Sequence, residues 1–357
     1  MLTVEYTRAE VDEALNQMEP LKAPGPDGLP PMFFQNFWPC IGEEVSQAVL
    51  SCLNSGSIPS SINRTFITLI PKVKSPSKVS EFRPIALCNT IYKLVSKVIA
   101  NRFKKVLLII ISESQSAFQS NKAISNNIMI ALEMLHHMKT QKSRRQILCP
   151  LKAYDQVEWS FLTNIMKKMG FCEAWISLIF NCVSTVSYSI LVNGEPKGNI
   201  ILPRGIRQGD PLSPFLFLCC LEGLNRMLQQ AAQENSIRGY SLCKSGPRIT
   251  HLFFADNSLL FCRARRTDLE VVQDILAVYK QASGQQINRD KTTLFFSKAA
   301  AEEKEEILYF LGVSEIKEYK KYLGLPAVVG KNKKASLNYI KERVWSKLQG
   351  WKEKLLF

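Results

Sequence analysis

The chain has 357 residues, is 46% apolar and carries 46 Lys and Arg against 31 Asp and Glu, a formal charge of +15. That is enough chain for two or three domains with a large core, and the basic excess points to a polyanionic partner such as nucleic acid. Ten scattered cysteines without a Cys-x-x-Cys pair and only three histidines argue against a zinc finger and suit free, mostly buried thiols in a reducing compartment. The N-terminus has no signal-type apolar region, and Val106–Ile111 is too short to span a bilayer. A soluble intracellular protein with no membrane partner is expected.

In chain order, Thr7-Arg-Ala-Glu10 reads as a capping box before a helix ending near Met18. Lys22-Ala-Pro-Gly-Pro-Asp-Gly-Leu-Pro30 is punctuated out of regular structure. Pro31–Leu53 has helical periodicity, and Thr65–Pro71 reads as a strand. Pro84–Val106 reads as one helix bearing Lys93, Lys97, Arg102, Lys104 and Lys105, and Asn126–Lys139 as another. The basic run Lys139–Arg145 leads into a strand at Gln146–Leu151. Helices are predicted over Glu158–Gly170 and Ala174–Val183. Ser187–Asn193 and Asn199–Pro203 then form a hairpin about Asn193-Gly194. Pro211–Gln230 is a long apolar helix. Ile249–Phe254 and Ser258–Cys262 are the arms of a second hairpin, with Asp256 and Asn257 at its tip. Leu269–Ala282 is a helix and Thr292–Phe296 a strand. From about Ser297 the chain reads as helical and Lys-rich, apart from Tyr322-Leu-Gly-Leu-Pro326. This order of elements is α+β.

Seven segments stand in a specific order: Ala23-Pro-Gly-Pro-Asp-Gly28, Arg83-Pro-Ile-Ala86, Gln115-Ser-Ala-Phe118, Lys152-Ala-Tyr-Asp155, Arg204-Gly-Ile-Arg-Gln-Gly-Asp-Pro-Leu-Ser-Pro214, Phe254-Ala-Asp-Asn257 and Tyr322-Leu-Gly-Leu-Pro326. Together they resemble the reverse transcriptase domain of plant LINE-type (non-LTR) retrotransposons, nearly end to end. The resemblance implies a right-hand polymerase. Residues 1–60 would be an N-terminal extension and fingers entry, 61–145 fingers, 146–297 palm with an antiparallel sheet, and 298–357 a partial thumb. It implies an RNA template, a DNA primer and dNTPs as partners, Mg²⁺ as cofactor and a nuclear setting. Elements of this kind carry an endonuclease upstream, so self-sufficient retrotransposition is not expected of this chain alone.

Two-metal nucleotidyl transfer needs carboxylates on neighbouring strands, because Mg²⁺ is a hard ion that takes oxygen ligands. The resemblance implies Asp-Asp at the hairpin tip; here the pair is Asp256-Asn257. It implies a first acid three residues before Lys152; that residue is Cys149, a soft and mostly protonated ligand. No Asp or Glu lies between Glu133 and Asp155; Asp155 is the candidate substitute metal ligand, but the resemblance implies an Asp there in addition to the catalytic one, so rescue by it is not expected. Pro150 would also remove a ladder donor from a central strand. A degenerate metal site is therefore expected, with catalysis lost or severely reduced. The alternatives are a non-catalytic nucleic-acid-binding relic of the same fold and, more remotely, a group II intron maturase-like protein.

Other roles follow from the same resemblance. Tyr154 corresponds to the gate against a ribose 2′-OH. Arg83, with Lys72, corresponds to the grip on the incoming triphosphate. Gln208 and Gly209 correspond to the turn beside the incoming base, and Lys291 to a palm lysine near the triphosphate. Lys122 and Asn126 depart from the family's usual Arg and Asp. Lys97, Arg102, Arg144 and Arg145 are the candidate nucleic-acid contacts, in clusters that also suit solvated helix faces.

Overall fold

The structure, a computed structural model, describes residues 2–119, 122–140, 145–152, 156–243, 246–255, 257–285, 292–300, 302–316, 321–323, 325–326, 338, 341–346 and 348–349. Its helices are α1 (Arg8–Asn16), α2 (Pro31–Ser55), α3 (Thr90–Ile110), α4 (Ile124–Thr140), α5 (Trp159–Lys168), α6 (Glu173–Ser184), α7 (Ser213–Gln233), α8 (Arg266–Ser283) and α9 (Lys304–Leu311). Its strands are β1 (Arg64–Pro71), β2 (Phe82–Cys88), β3 (Gln146–Lys152), β4 (Ser187–Val192), β5 (Glu195–Ile200), β6 (His251–Phe254), β7 (Asn257–Arg263), β8 (Thr293–Phe296), β9 (Ser314–Glu315), β10 (Lys321–Tyr322) and β11 (Leu325–Pro326). The class is α+β. The chain forms two compact units that interleave in sequence. One holds Met1–Glu113, Tyr154–Met227 and Ile275–Gln286; the other holds Ser114–Ala153, Leu228–Asp274 and Ile287–Phe357. No helix among the described residues is long and apolar enough to cross a membrane.

The first unit is built on a four-stranded sheet in the order β2-β1-β4-β5. β1 runs antiparallel to β2, from Thr65↔Cys88 to Pro71↔Phe82, and parallel to β4. The expected helix over Pro84–Val106 is corrected at its start: Phe82–Cys88 is a strand, and α3 begins only at Thr90. Pro84 disfavours the helical region for Arg83 before it, and pairing along all of β1 outweighs the helical pattern. The β4–β5 hairpin turns at Asn193-Gly194, with φ of 52° and 84°, as that residue pair favours. Its second arm starts at Glu195 instead of Asn199, because a two-residue turn returns the chain at once. Exposed β5 has no apolar alternation to announce it.

α3 is the buried centre of this unit. Tyr92, Leu94, Val95, Ile99 and Phe103 are fully buried, and Phe103 stacks on Phe171 at 5.4 Å and on Trp175 at 6.0 Å. α1 carries the predicted capping box, with the Thr7 N–H donating to the Glu10 carboxylate at 3.0 Å, and α1 buries Val11, Ala14 and Leu15. The proline- and glycine-rich segment after α1 folds onto the N-terminus of α3. Asp27 accepts from the Thr90 N–H at 3.2 Å, and the Asp27 N–H donates to the Asn89 Oδ1 at 3.1 Å.

The second unit holds a five-stranded sheet in the order β6-β7-β3-β8-β9. Alternation along the strands sends side chains to opposite faces. On one face Leu148, Leu259, Phe261 and Phe295 pack with Ala131, Met134, Leu135 and Met138 of α4. On the other, Ile147, Cys262 and Leu294 pack with Leu269 of α8 and Ile307 of α9. The part after Ser297 is not wholly helical. β9 adds to the sheet parallel to β8, pairing Thr293 with Ser314, and so short a strand leaves no periodicity in the sequence.

Candidate active site

The expected metal-binding half lies in the second unit, on β3 and the β6–β7 hairpin. β7 pairs antiparallel with β3 from Gln146↔Arg263 to Lys152↔Asn257, which sets Cys149 opposite Leu260. Phe254↔Asn257 is the closing pair of the hairpin. Asn257 is therefore the first strand residue of β7 rather than part of the tip. Ala255 is held at φ 50°, a left-handed conformation that a side-chain-bearing residue adopts only under constraint.

Part of that constraint comes from Gln115-Ser-Ala-Phe118, which runs along the open edge of β6. The Phe253 N–H donates to the Ser114 carbonyl at 2.8 Å, and the Ser116 N–H donates back to the Phe253 carbonyl at 3.2 Å. Asn127 of α4 adds an Nδ2 bond to the same carbonyl at 2.8 Å. The Gln115 Oε1 accepts from the Ala117 N–H at 2.8 Å and, more weakly, from the Ala255 N–H at 3.4 Å. Lys122, where the family favours Arg, donates to the Gln115 carbonyl at 3.1 Å.

Cys149, itself partly buried, sits on the same strand face as Ile147 and packs against the apolar cluster with α8 and α9. Burial pushes its thiol up to about 12, so it is neutral at any physiological pH. Asn257 is a neutral amide. Among the described residues no three His, Cys, Asp or Glu side chains group in a way that could hold a metal ion. A protonated thiol in apolar packing is no ligand for a hard divalent ion, and the Asn257 amide oxygen is an uncharged donor, so these two positions do not supply the carboxylates a Mg²⁺ pair needs. Pro150 is tolerated because β8 pairs with β3 only at Ile147 and Leu148, leaving one side of the strand open at Pro150. Asp256, Asp155, Tyr154, Lys291 and Arg144 lie outside the described residues.

The expected nucleotide-binding half lies in the first unit, and the sheet brings most of it together. Arg83 is exposed on β2 opposite Ile70. Lys72 follows β1, with its N–H bonded to the Glu81 carbonyl at 2.7 Å and its Nζ to the Ser80 carbonyl at 2.8 Å. The Gln208 carbonyl accepts from the Ala86 N–H of β2 at 3.0 Å. Gly209 has φ 108°, and a Cβ there would meet the Ala86 carbonyl oxygen at 3.3 Å. Glycine is therefore required for the turn to lie this close to β2.

Sequence reasoning missed what holds that turn. Arg207 and Asp210 flank it, and their side chains are only 2% and 4% exposed, with Nε and Oδ2 3.3 Å apart. The guanidinium also donates to the Asn63 Oδ1 at 2.7 Å, the Thr65 Oγ1 at 3.3 Å and the Cys182 carbonyl at 2.7 Å. It lies over the Tyr92 ring at 3.9 Å, and the Tyr92 hydroxyl donates to Asp210 at 2.8 Å. Burial keeps that hydroxyl protonated by raising its pKa well above the usual value. The available signal was two opposite charges three residues apart around Gln-Gly; nothing in the sequence marked them as buried.

The nucleic-acid candidates divide. Arg102 is a structural residue: its side chain is 6% exposed, pairs with Glu10 at 2.6 Å and donates to the carbonyls of Leu2, Val4 and Glu5. Its donors are spent on tying the N-terminal segment to α3, which withdraws it from the expected contact set. Arg145 pairs with Glu302 at 3.2 Å and with Glu303. Lys93 turns inward to the Ala23 carbonyl at 2.8 Å. Lys97 is half-buried, and its pKa is lowered by burial first and then by Lys104 and Lys22, with Glu13 acting in the opposite direction.

Comparison with protein families places the chain among polymerases. The family model for reverse transcriptase (RNA-dependent DNA polymerase) matches residues 70–326. The chain belongs to that family, as a reverse transcriptase domain of the non-LTR retrotransposon kind. It is 28% identical to the transposon TX1 uncharacterized 149 kDa protein of Xenopus laevis, over 82% of this chain and 22% of that protein. It is 25% identical to the Pol polyprotein of the type-2 retrotransposable element R2DM of Drosophila melanogaster, over 88% of this chain and 30% of that protein. A 68-residue stretch is 43% identical to an uncharacterized mitochondrial protein of Arabidopsis thaliana, covering 19% of this chain and 56% of that protein. The chain thus spans less than a third of the length of the two transposon proteins.

Proposed function

We propose that this chain is the polymerase module of a retrotransposon that still captures an RNA template, a DNA primer and dNTPs, but whose chemistry is lost or severely reduced. The observation that carries the reading is the state of Cys149. Where the family resemblance implies a metal-binding acid, a neutral thiol packs into an apolar cluster. In this reading the five-stranded sheet is the palm, the four-stranded sheet belongs to the fingers, and the part from residue 298 is a partial thumb. Arg83 and Lys72 receive the triphosphate and Gln208–Gly209 faces the base. The remaining cationic face of Lys22, Lys97 and Lys104 contacts phosphates. The Arabidopsis stretch favours a plant origin.

Reverse transcriptases use divalent metal ions on carboxylates, of which the sequence keeps Asp256 at the implied positions. Removing one group that stabilises transition-state charge costs roughly 10²–10³-fold in rate, and losing two ligands of one metal pair acts on binding as a unit. The test is primer extension on an RNA template with Mg²⁺ and dNTPs, comparing the unmodified chain with a Cys149→Asp/Asn257→Asp variant. Filter binding at several salt concentrations reports capture separately. Capture without extension by the unmodified chain is expected. Extension by the double variant alone would identify the two lost acids as the lesion. Efficient extension by the unmodified chain would overturn the reading and make Asp155 the first alternative ligand.

A further inference from the structure

We propose that Arg207, Asp210 and Tyr92 form a buried lock whose role is to position the Gln208–Gly209 turn for the incoming nucleotide. This rests on the reading of that turn as nucleotide-facing. Four observations carry it. Arg207 and Asp210 are the residues immediately before and after the turn, and both are buried, so the two turn residues bridge fixed points. The partners of the Arg207 guanidinium are themselves anchored: Asn63 and Thr65 at the start of β1, the Cys88 Sγ at the end of β2, and the Cys182 carbonyl on α6. Asp210 is held from two sides, by the Tyr92 hydroxyl at 2.8 Å and by the Leu212 N–H at 2.9 Å. The turn itself is pinned to β2 through the Ala86 N–H, at a distance where a Cβ on Gly209 would meet backbone.

A buried ion pair is a costly way to stabilise a fold, because desolvation offsets most of its attraction. A pair that is fully hydrogen-bonded and brackets an exposed two-residue turn makes sense as a device for precision. The pair fixes both ends of the turn while leaving Gln208 in solvent. None of the three residues touches the nucleotide; they act through Gly209 and Gln208.

Removing either charge would leave the other buried and unpaired, so the informative variant is Tyr92→Phe. It keeps the ring under Arg207 and deletes the hydroxyl's bond to Asp210, together with its longer one to the Cys182 carbonyl at 3.4 Å. The assay uses poly(rA) primed with 3′-dideoxy-terminated oligo(dT), so that no bond forms. Heparin challenges the complex, and the dTTP concentration that half-protects it reads nucleotide affinity, whereas capture without dTTP reads template–primer binding. Tyr92→Phe is expected to raise the half-protecting concentration about tenfold, the scale of losing the buried bond to Asp210, with dTTP-independent capture unchanged. Gly209→Ala should raise it at least as much. In the Tyr92→Phe/Gly209→Ala double variant the effects should not add, because both act through the turn; a general structural role for Tyr92 would add. If Tyr92→Phe does not fold, Thr65→Val deletes one acceptor of Arg207 and should act in the same direction. An unchanged dTTP dependence in Tyr92→Phe, or additive effects in the double variant, would overturn the lock. Capture by the unmodified chain with no dTTP dependence would overturn the reading of the turn and the lock with it. No capture at all would overturn the polymerase reading.

Discussion

Cys149 and His251 sit in the same sheet, and burial acts on each in the direction that keeps it neutral. For Cys149 this removes the thiolate, the reactive form. Cys40, Cys172 and Cys243 are exposed. Under iodoacetamide at pH 8 these three should alkylate first and Cys149 late, as followed by mass spectrometry; early labelling of Cys149 would contradict the apolar packing. His251 is buried, its pKa is pushed down to about 4 by desolvation, and its ring nitrogen Nδ1 lies 2.9 Å from the Thr250 hydroxyl. In the unfolded chain the pKa is about 6.5, so the unfolded state takes up the proton first as pH falls. The contribution of neutral His251 to stability is therefore full above pH 6.5 and is lost progressively down to pH 4. Urea unfolding at pH 7, 6 and 5 should show this loss, and the His251→Leu protein should show a slope shallower by about one proton. Equal slopes would mean that the imidazole is charged in the folded state.

At the scale of elements, short polar and glycine-bearing segments hold the helices in place. The Lys22–Pro30 segment has no regular structure, yet a Cβ on Gly25 would lie 2.3 Å from the Asn89 nitrogen. Backbone against backbone leaves no room to relax, so Gly25→Ala should destabilise the first unit by about 2–4 kcal/mol, measured by chemical denaturation. α1 is tied to α3 by Arg102, whose guanidinium also lies 3.5 Å from the Tyr6 ring centre. Arg102→Met should lower stability by about 1–3 kcal/mol, since it strands Glu10 and three carbonyls. RNA affinity of the folded protein should stay unchanged, and a weakened affinity with unaltered stability would return Arg102 to the nucleic-acid surface. The same element scale explains the misread start of α3. The run from Pro84 is apolar enough for a helix, and only the seven-residue pairing of β2 with β1 converts its first part to strand.

At the scale of the whole molecule, the formal charge of +15 is a poor guide to how many cations are free. Arg207, Arg102 and Lys93 are buried in structural roles, while Arg145, Arg204 and Arg266 pair with glutamates. The available surface is smaller, and it includes Lys97 with Lys104 and Lys22 close enough to act on it. Each phosphate neutralised contributes roughly 0.7–0.9 to the slope of log K against log salt. A Lys22→Gln/Lys97→Gln/Lys104→Gln protein should bind a primed RNA template with a slope reduced by about 2. A slope identical to the unmodified chain would exclude this face from the contact.

The sequence by itself determined the α+β class and most element positions, and its seven ordered motifs carried the resemblance against which Cys149 and Asn257 read as departures. These are properties of local period, turn chemistry and residue type, which are written in neighbouring positions. It also marked Gly209, because a Gly in a tight turn carries its reason with it. Tertiary structure alone decided which charges are buried. Arg207 and Asp210 look no different in sequence from Arg204, which pairs at the surface with Glu158; only Tyr92, Asn63 and Cys182, far away along the chain, turn the former into a lock. It likewise decided that Cys149 faces an apolar cluster, because strand alternation gives two faces but not what covers each one. Burial is a sum over distant segments, and so is every pKa and hydrogen bond that follows from it.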